Sequence, residues 1–463
     1  MSLLQCQRVN RPFHVPIMQA KFTSGSILRH VCTMTFASTA GLLSLFTVDF
    51  LDMYWLSLLG QMQYAAAIGY ASSILFFTLS LSIGLSIGCA ATVSHSVGEG
   101  DVDRTRKIVV HAMLTIVGIT VPVMLVVFFN IDTLLQWLGA GEPARGYAAA
   151  YMSIVLLSYP LLALAMACAG IMRALGNAKH AMLLTLVGAI VNAVLDPLFI
   201  FGFGWDIEGA AAATALARAA MLAYGIWLLK ANNNLLGLPD FSVYWRDLRE
   251  YCQTAIPAVL TNLSTPVGVA YVTASMASYG TGAVAGWAII SKLQPLAFAG
   301  LFALSGSIGP IAGQNLGARN FSRILDTLKQ SVNFTLVYCA LACLVLLLFN
   351  RFIVSAFHAS GDAAQLIRYF CYGLSTMFVF NGITFLTNAL FNNLRAAHWA
   401  TVFNVLKATV FTIPFVWFGA KIAGPVGILA GLYAGSALIA VLGIWAVLYK
   451  IRELPNKLKV KPS

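Results

Sequence analysis

The chain has 463 residues, of which 59% are hydrophobic and 10% charged, with a mean hydropathy of +0.83 and a formal net charge of +12. Soluble domains carry about 25% charged residues, so this composition excludes a soluble globular protein. The basic residues gather in alternate connections between apolar segments, which marks them as topology signals rather than a nucleic-acid surface.

Residues 1–26, beginning MSLLQCQRVNRPFHVPIMQAK, hold no apolar core of signal-peptide type and read as a cytoplasmic tail. Apolar runs of 20 or more residues then follow one another, each long enough to cross ~30 Å of hydrocarbon. Barrel strands would instead alternate apolar and polar residues over about ten positions. The pattern predicts an all-α membrane protein of twelve transmembrane helices, at about 27–59, 65–97, 106–131, 144–172, 178–203, 207–230, 248–279, 284–313, 323–349, 363–393, 398–420 and 424–450. The polar stretch KANNNLLGLPDFSVYWRDLRE divides them into a first lobe (27–230) and a second lobe (248–450), joined by a cytoplasmic linker (231–247). A basic cytoplasmic tail (451–463) closes the chain. Arg104, Arg106, Lys107, Arg173, Lys179, Arg246, Arg249, Arg319, Arg323 and Arg395 fall in connections on one side, which places both termini in the cytoplasm.

The two halves repeat. Gly60 matches Gly280, Gly98 matches Gly317, Arg104 matches Arg323 and Pro197 matches Pro414, all at spacings of 217–220. Six helices repeated in the same orientation imply two pseudo-symmetric lobes related by an axis along the membrane normal, with a site near the midplane between them. Gly427, Gly431 and Gly435, like Gly84 and Gly88, form small-residue stripes suited to close helix packing.

Three acids lie deep in the spans: Asp49 and Asp52 in the first helix, and Asp196 in the fifth. A carboxylate in a lipid-spanning helix costs at least ~2.5–3.5 kcal/mol, so it persists where it faces a partner or a water-filled cavity. Asn192 and Asp196, four residues apart, point the same way from one helix. An amide beside a carboxyl can bond its protonated form or complete the oxygen shell of a small cation. Thr214 offers a further oxygen, and a buried carboxyl can exchange protons near neutral pH. The alternative is that the acids only join helices, but membrane hydrogen bonds average ~0.6 kcal/mol, too little to offset the cost. The second lobe has Asn262, Asn381 and Asn388 but no central acid. The histidines are separated and the cysteines form no C-x2-C pair, so no metal or disulfide site is expected.

The segments VDFLDMYWLSLLG, RALGNAK, NAVLDPLFIFGFGWDIEGAAAATALA and PIAGQNLGARNFSR together resemble the multidrug and toxic compound extrusion (MATE) transporters, particularly their DinF-like branch. The resemblance covers the chain from about residue 27 to 450 and implies a V-shaped pair of six-helix lobes that alternate access. By the same resemblance, the family's helix-1 aspartate falls on Asp52, its helix-5 pair on Asn192 and Asp196, its helix-6 threonine on Thr214 and a helix-4 tyrosine on Tyr151. Asp49 is a secondary candidate. The NorM-like glutamate of helix 7 is missing from AIPAVLTNLSTPVG, and the helix-1 proline of many relatives is replaced by Ala37.

The expectation is a secondary active efflux antiporter, not an enzyme. It would export organic cations and drugs in exchange for H⁺, with Na⁺ at Asp52, Asn192, Asp196 and Thr214 as the other coupling ion. No cofactor beyond that ion, no nucleic acid, a monomer surrounded by membrane lipids and a bacterial inner-membrane location complete it. The rival is a flippase for lipids or lipid-linked oligosaccharides, which would use basic residues such as Arg218, Lys292 and Lys407.

Overall fold

The computed structural model describes residues 20–458 apart from 60, 61, 233 and 358; the side chains of some helical residues, Asp49 among them, also lie outside the description. Both outer ends of the predicted tails, and Gly60, therefore fall outside it. Every regular element described is helical.

The first lobe holds α1 (Ile27–Leu58), α2 (Met62–Glu99), α3 (Val102–Phe129), α4 (Ala144–Leu157 and Tyr159–Ala174), α5 (Ala178–Pro197, extended by a π turn, Leu198–Gly202) and α6 (Asp206–Trp227). The second holds α7 (Phe241–Ala277), α8 (Thr281–Ala297 and Ala299–Gly317), α9 (Phe321–Ala356) and α10 (Gly361–Tyr372 and Phe378–Asn393). It ends with α11, which starts at Ala397–Leu406, runs through a π turn, Lys407–Phe411, and continues to residue 422, and with α12, residues 425–458. One apolar stretch, Ala397–Pro455, contains both α11 and α12, because Ala423 (φ −139°, ψ 24°) and Gly424 (φ 56°, ψ −136°) interrupt the helix between them. That gives twelve spans among the described residues.

Local chemistry accounts for the breaks. α4 and α8 each bend by 48°. Pro160 follows the α4 break and Pro295 precedes the α8 break, and neither has an amide hydrogen for the helical ladder. α7 begins at Phe241 rather than 248, because Asp240 caps it by accepting from the Ser242 amide. The connection between the lobes is correspondingly shorter than the 231–247 read from polarity.

Glycines set the tightest crossings. A Cβ on Gly427, Gly431 or Gly435 of α12 would sit about 2 Å from the carbonyl oxygens of Gly419, Phe415 and Phe411 on α11, so only hydrogen fits there. Gly84 and Gly88 of α2 meet Val259 and Ala255 of α7 in the same way, across the two lobes.

Contacts between the lobes cluster at the end holding residues 20 and 458. The Phe22 amide donates to Gln314 Oε1 (2.9 Å), and Arg323 donates to the carbonyls of Phe22 (2.9 Å) and Ser24 (3.1 Å). Arg104 pairs with Glu99 (3.0 Å) and with Glu250 of the other lobe (3.1 Å). From this joined end the two lobes form the V.

Candidate functional site

The site begins with a gap left by a glycine. A Cβ on Gly41 of α1 would lie 2.6 Å from Thr185 Oγ1 of α5, so the missing side chain lets these two helices press together. Asp52 and Asp196 each stand eleven residues beyond that crossing, about three helical turns, and therefore return to the facing sides.

There the two carboxyls are within hydrogen-bonding reach of each other. Two carboxyls can make that bond only by sharing a proton, since an ionised carboxylate is an acceptor alone. Asp196 is fully buried, and Asn192, 4% exposed, donates to its Oδ1 at 3.0 Å. Oδ1 of Asp52 and Oδ2 of Asp196 are buried with no protein partner. A buried carboxyl oxygen without a donor is costly, and either a proton or a small cation would satisfy the pair.

α4 and α6 complete the wall. The Tyr151 hydroxyl bonds Thr214, and its ring lies in the field of Asp52, Asp196 and Arg218. Trp55 of α1 meets Phe201 of the α5 π turn edge-on at 6.2 Å, and Trp55 and Tyr151 both pack against Ile200 and Ala210. Asp52, Asn192, Asp196, Thr214 and Tyr151 thus converge in one place. Asp49 falls outside the described side chains. Among the described residues no group of three or more His, Cys, Asp and Glu side chains is placed to hold a metal ion.

Arg218, an unassigned cation in the sequence, is explained by the bend of α4. Its Nη1 donates to the Val155 carbonyl (3.0 Å) and to Ser158 Oγ (3.0 Å), groups at the helix break. Its place beside Tyr151 and the α4 break follows from that bend, which no sequence signal announces beyond Ser158-Tyr159-Pro160. At the joined end, a cavity of about 750 Å³ is lined by Glu99, Arg104, Arg246, Glu250, Arg395 and His398 among others.

The family model MatE matches residues 38–198 and 257–418, one segment in each lobe. The chain belongs to the MatE family. It is a multi-pass membrane transporter, not an enzyme. It is 25% identical to a protein of Shewanella oneidensis named "FAD transporter", over 90% of this chain and 94% of that one. It is 24% identical to the "Probable multidrug resistance protein YpnP" of Bacillus subtilis, over 86% and 91% of the two chains. Among solved structures, a MATE transporter of Vibrio cholerae, VcmN in its bent form, superposes with a TM-score of 0.88 at 25% identity, covering 94% of this chain and 99% of that one. An outward-facing MATE family transporter superposes with a TM-score of 0.89 at 20% identity, over 94% and 98% of the chains, a match of fold. The V-shaped twelve-helix architecture expected from the sequence is the family's.

Proposed function

We propose that this MatE transporter is a secondary active antiporter that exports organic cations and drugs in exchange for H⁺, with Na⁺ the alternative occupant of the same oxygens. The observation that carries the reading is the contact between the Asp52 and Asp196 carboxyls, supported from one side by Asn192. A proton or cation held there neutralises the pair and favours one packing of α1 against α5. A cationic drug between the lobes favours the ionised pair. The two ligands then oppose each other through a single equilibrium, which is the condition for coupled exchange.

Tyr151 and Thr214 serve in this reading as a hydroxyl chain that keeps the carboxyls oriented. Both termini face the cytoplasm of a bacterial inner membrane, and the joined end of the V is the cytoplasmic side. The flippase alternative is weakened because Arg218, one of its candidate cations, is occupied by backbone and hydroxyl oxygens of α4.

The test is ethidium efflux in inverted membrane vesicles, driven first by a pH gradient and then by a sodium gradient at fixed pH. Asp196→Asn should abolish transport driven by the coupling ion. Efflux that survives in this variant would sink the mechanism. Whichever gradient works alone identifies the ion. Because one relative is named as an FAD transporter, flavin nucleotides belong in the substrate panel beside the multidrug probes.

A further inference from the structure

The second lobe contains a charge that the coupling site does not use. Lys407 sits at the first position of the π turn in α11, half-buried, and its Nζ donates to Oδ1 of Asn381 on α10. Asn381 is 8% exposed. Among the described residues this amide is the ammonium's only hydrogen-bond partner, and an ammonium has three donors.

Among the described residues no carboxyl pairs with it. The described carboxyls of α7–α12 are Asp247 and Glu250 at the start of α7, Asp326 near the start of α9, Asp362 at the start of α10 and Glu453 at the end of α12. None belongs to the middle of the lobe. An ammonium in a membrane interior costs at least ~2.5–3.5 kcal/mol and is normally paired or directed at a pathway. If the bond to Asn381 were only a helix-to-helix link, a neutral donor would form it without that cost.

The first lobe offers a partial parallel, at a different position of the repeat, since Pro197 answers to Pro414 and Asp196 therefore not to Lys407. α5 and α11 are the fifth helices of their lobes, and each contains a π turn beside its charged residue: Asp196 just before Leu198–Gly202, and Lys407 opening Lys407–Phe411. π turns inside α-helices occur disproportionately at functional positions. In each lobe the charged group bonds an asparagine, Asn192 in the first and Asn381 in the second. α11 is held close to α7 at this level, with Ala408 Cα 3.8 Å from where a Cβ on Gly268 would be. The lobes therefore offer opposite charges from corresponding helices.

We propose that Lys407 and Asn381 form a binding subsite for the anionic group, carboxylate or phosphate, of a soluble organic substrate. The ammonium pairs with the anion while the Asn381 amide holds the lysine chain toward it. A substrate with both an anionic and a basic group would engage Lys407 in one lobe and the acids in the other. This rests on the transport reading above for its setting, but it concerns binding and can be tested without transport.

The experiment uses the full chain in phosphatidylcholine nanodiscs, with fluorescence polarisation of carboxyfluorescein as anionic probe and ethidium as cationic probe. Lys407→Gln should weaken carboxyfluorescein binding by about tenfold or more, and Lys407→Arg should stay within about threefold of wild type, since the charge carries the pairing. Ethidium affinity in Lys407→Gln should be unchanged, which also shows that the variant folds. Equal carboxyfluorescein affinity in wild type and Lys407→Gln, or no binding by wild type, overturns the proposal. Displacement of the probe from wild type by phosphatidylglycerol in the disc assigns the subsite to a lipid headgroup and overturns the substrate assignment. A protein that binds both probes with the expected Lys407 dependence, yet transports neither, overturns the transport reading and leaves this subsite in place.

Discussion

Gly98 of α2 and Gly317 of α8 meet at the approximate two-fold axis, each against the backbone of the other's helix. A Cβ on Gly98 would stand 2.2 Å from the Gln314 carbonyl oxygen, and one on Gly317 would stand 2.2 Å from the His95 carbonyl oxygen. The reciprocity continues outward: Gln314 Nε2 donates to the Ala174 carbonyl at 2.7 Å, and His95 Nε2 bonds the Asn393 carbonyl. Each of these pairs is the other displaced by one repeat. At the centre of the seal between the lobes, backbone thus meets backbone at two glycines.

Gly317→Val should therefore loosen the joined end rather than the individual lobes. Overpacking against a backbone that cannot retreat costs about 1–3 kcal/mol. In a background without the native cysteines, Thr92→Cys on the wall of the charged cavity reports the opening through its rate of labelling by an impermeant thiol reagent. The rate should rise by about tenfold, the equivalent of ~1.4 kcal/mol. Unchanged labelling would contradict the assignment of the glycine pair to the seal.

Tyr151→Phe removes the hydroxyl that bonds Thr214 while keeping the ring. One hydrogen bond contributes about 0.5–1.5 kcal/mol, so the ion-driven efflux rate should fall by about 3–10-fold. Ethidium affinity should be preserved, because the ring still fills its place beside Trp55 and Ile200. A loss of affinity with an intact rate would place Tyr151 in drug binding instead.

Arg218→Gln should lower stability through α4. The guanidinium holds two oxygens at the helix break, and hydrogen bonds from a charged donor are worth about 1.5–3 kcal/mol. Thermal unfolding in detergent measures the loss. An unchanged midpoint would show that the break supports itself.

The pH dependence of the link between the lobes can be followed at Asp240. Lys107 Nζ at 2.8 Å and the Ser242 hydroxyl and amide hold this exposed carboxyl down at about 2. Because its folded value lies below the unfolded one, its stabilisation is complete above about pH 5 and is lost as pH falls through about 2. The melting difference between wild type and Asp240→Asn should be constant from neutral pH down to about pH 5 and vanish toward pH 2. A difference that persists at the acidic limit would mean the carboxylate charge is irrelevant there.

Much of this architecture is readable from residues alone because membrane spans must be long and apolar, and because two lobes built alike leave matching glycines, arginines and prolines. The Asn192–Asp196 pair is readable too, since a four-residue spacing on a helix has one geometric meaning. Its contact with Asp52 depends on Gly41 admitting Thr185, and a single small residue gives no hint of which helix it admits. The early start of α7 is hidden for another reason: Trp245, Arg246 and Arg249 make the first turns too polar for a hydropathy reading, although Asp240 followed by Ser242 is a cap signal. Arg218 and Lys407 look alike in sequence, but one caps a bent helix and the other faces an amide, a distinction set by the bend at Ser158.

The π turns of α5 and α11 have a mechanical consequence. Each holds one residue more than a regular helix of the same length, and a shift of that surplus along the helix would exchange one carbonyl partner of each neighbouring amide for the next. As it passes a position, that residue swivels by about 100°. Asp196 and Lys407 both border such a surplus, so either charge can be redirected from one neighbour to another while the ends of its helix stay fixed. In the proposed exchange, with alanine at position 37 of α1, this swivel would redirect a charge without any bend of α1.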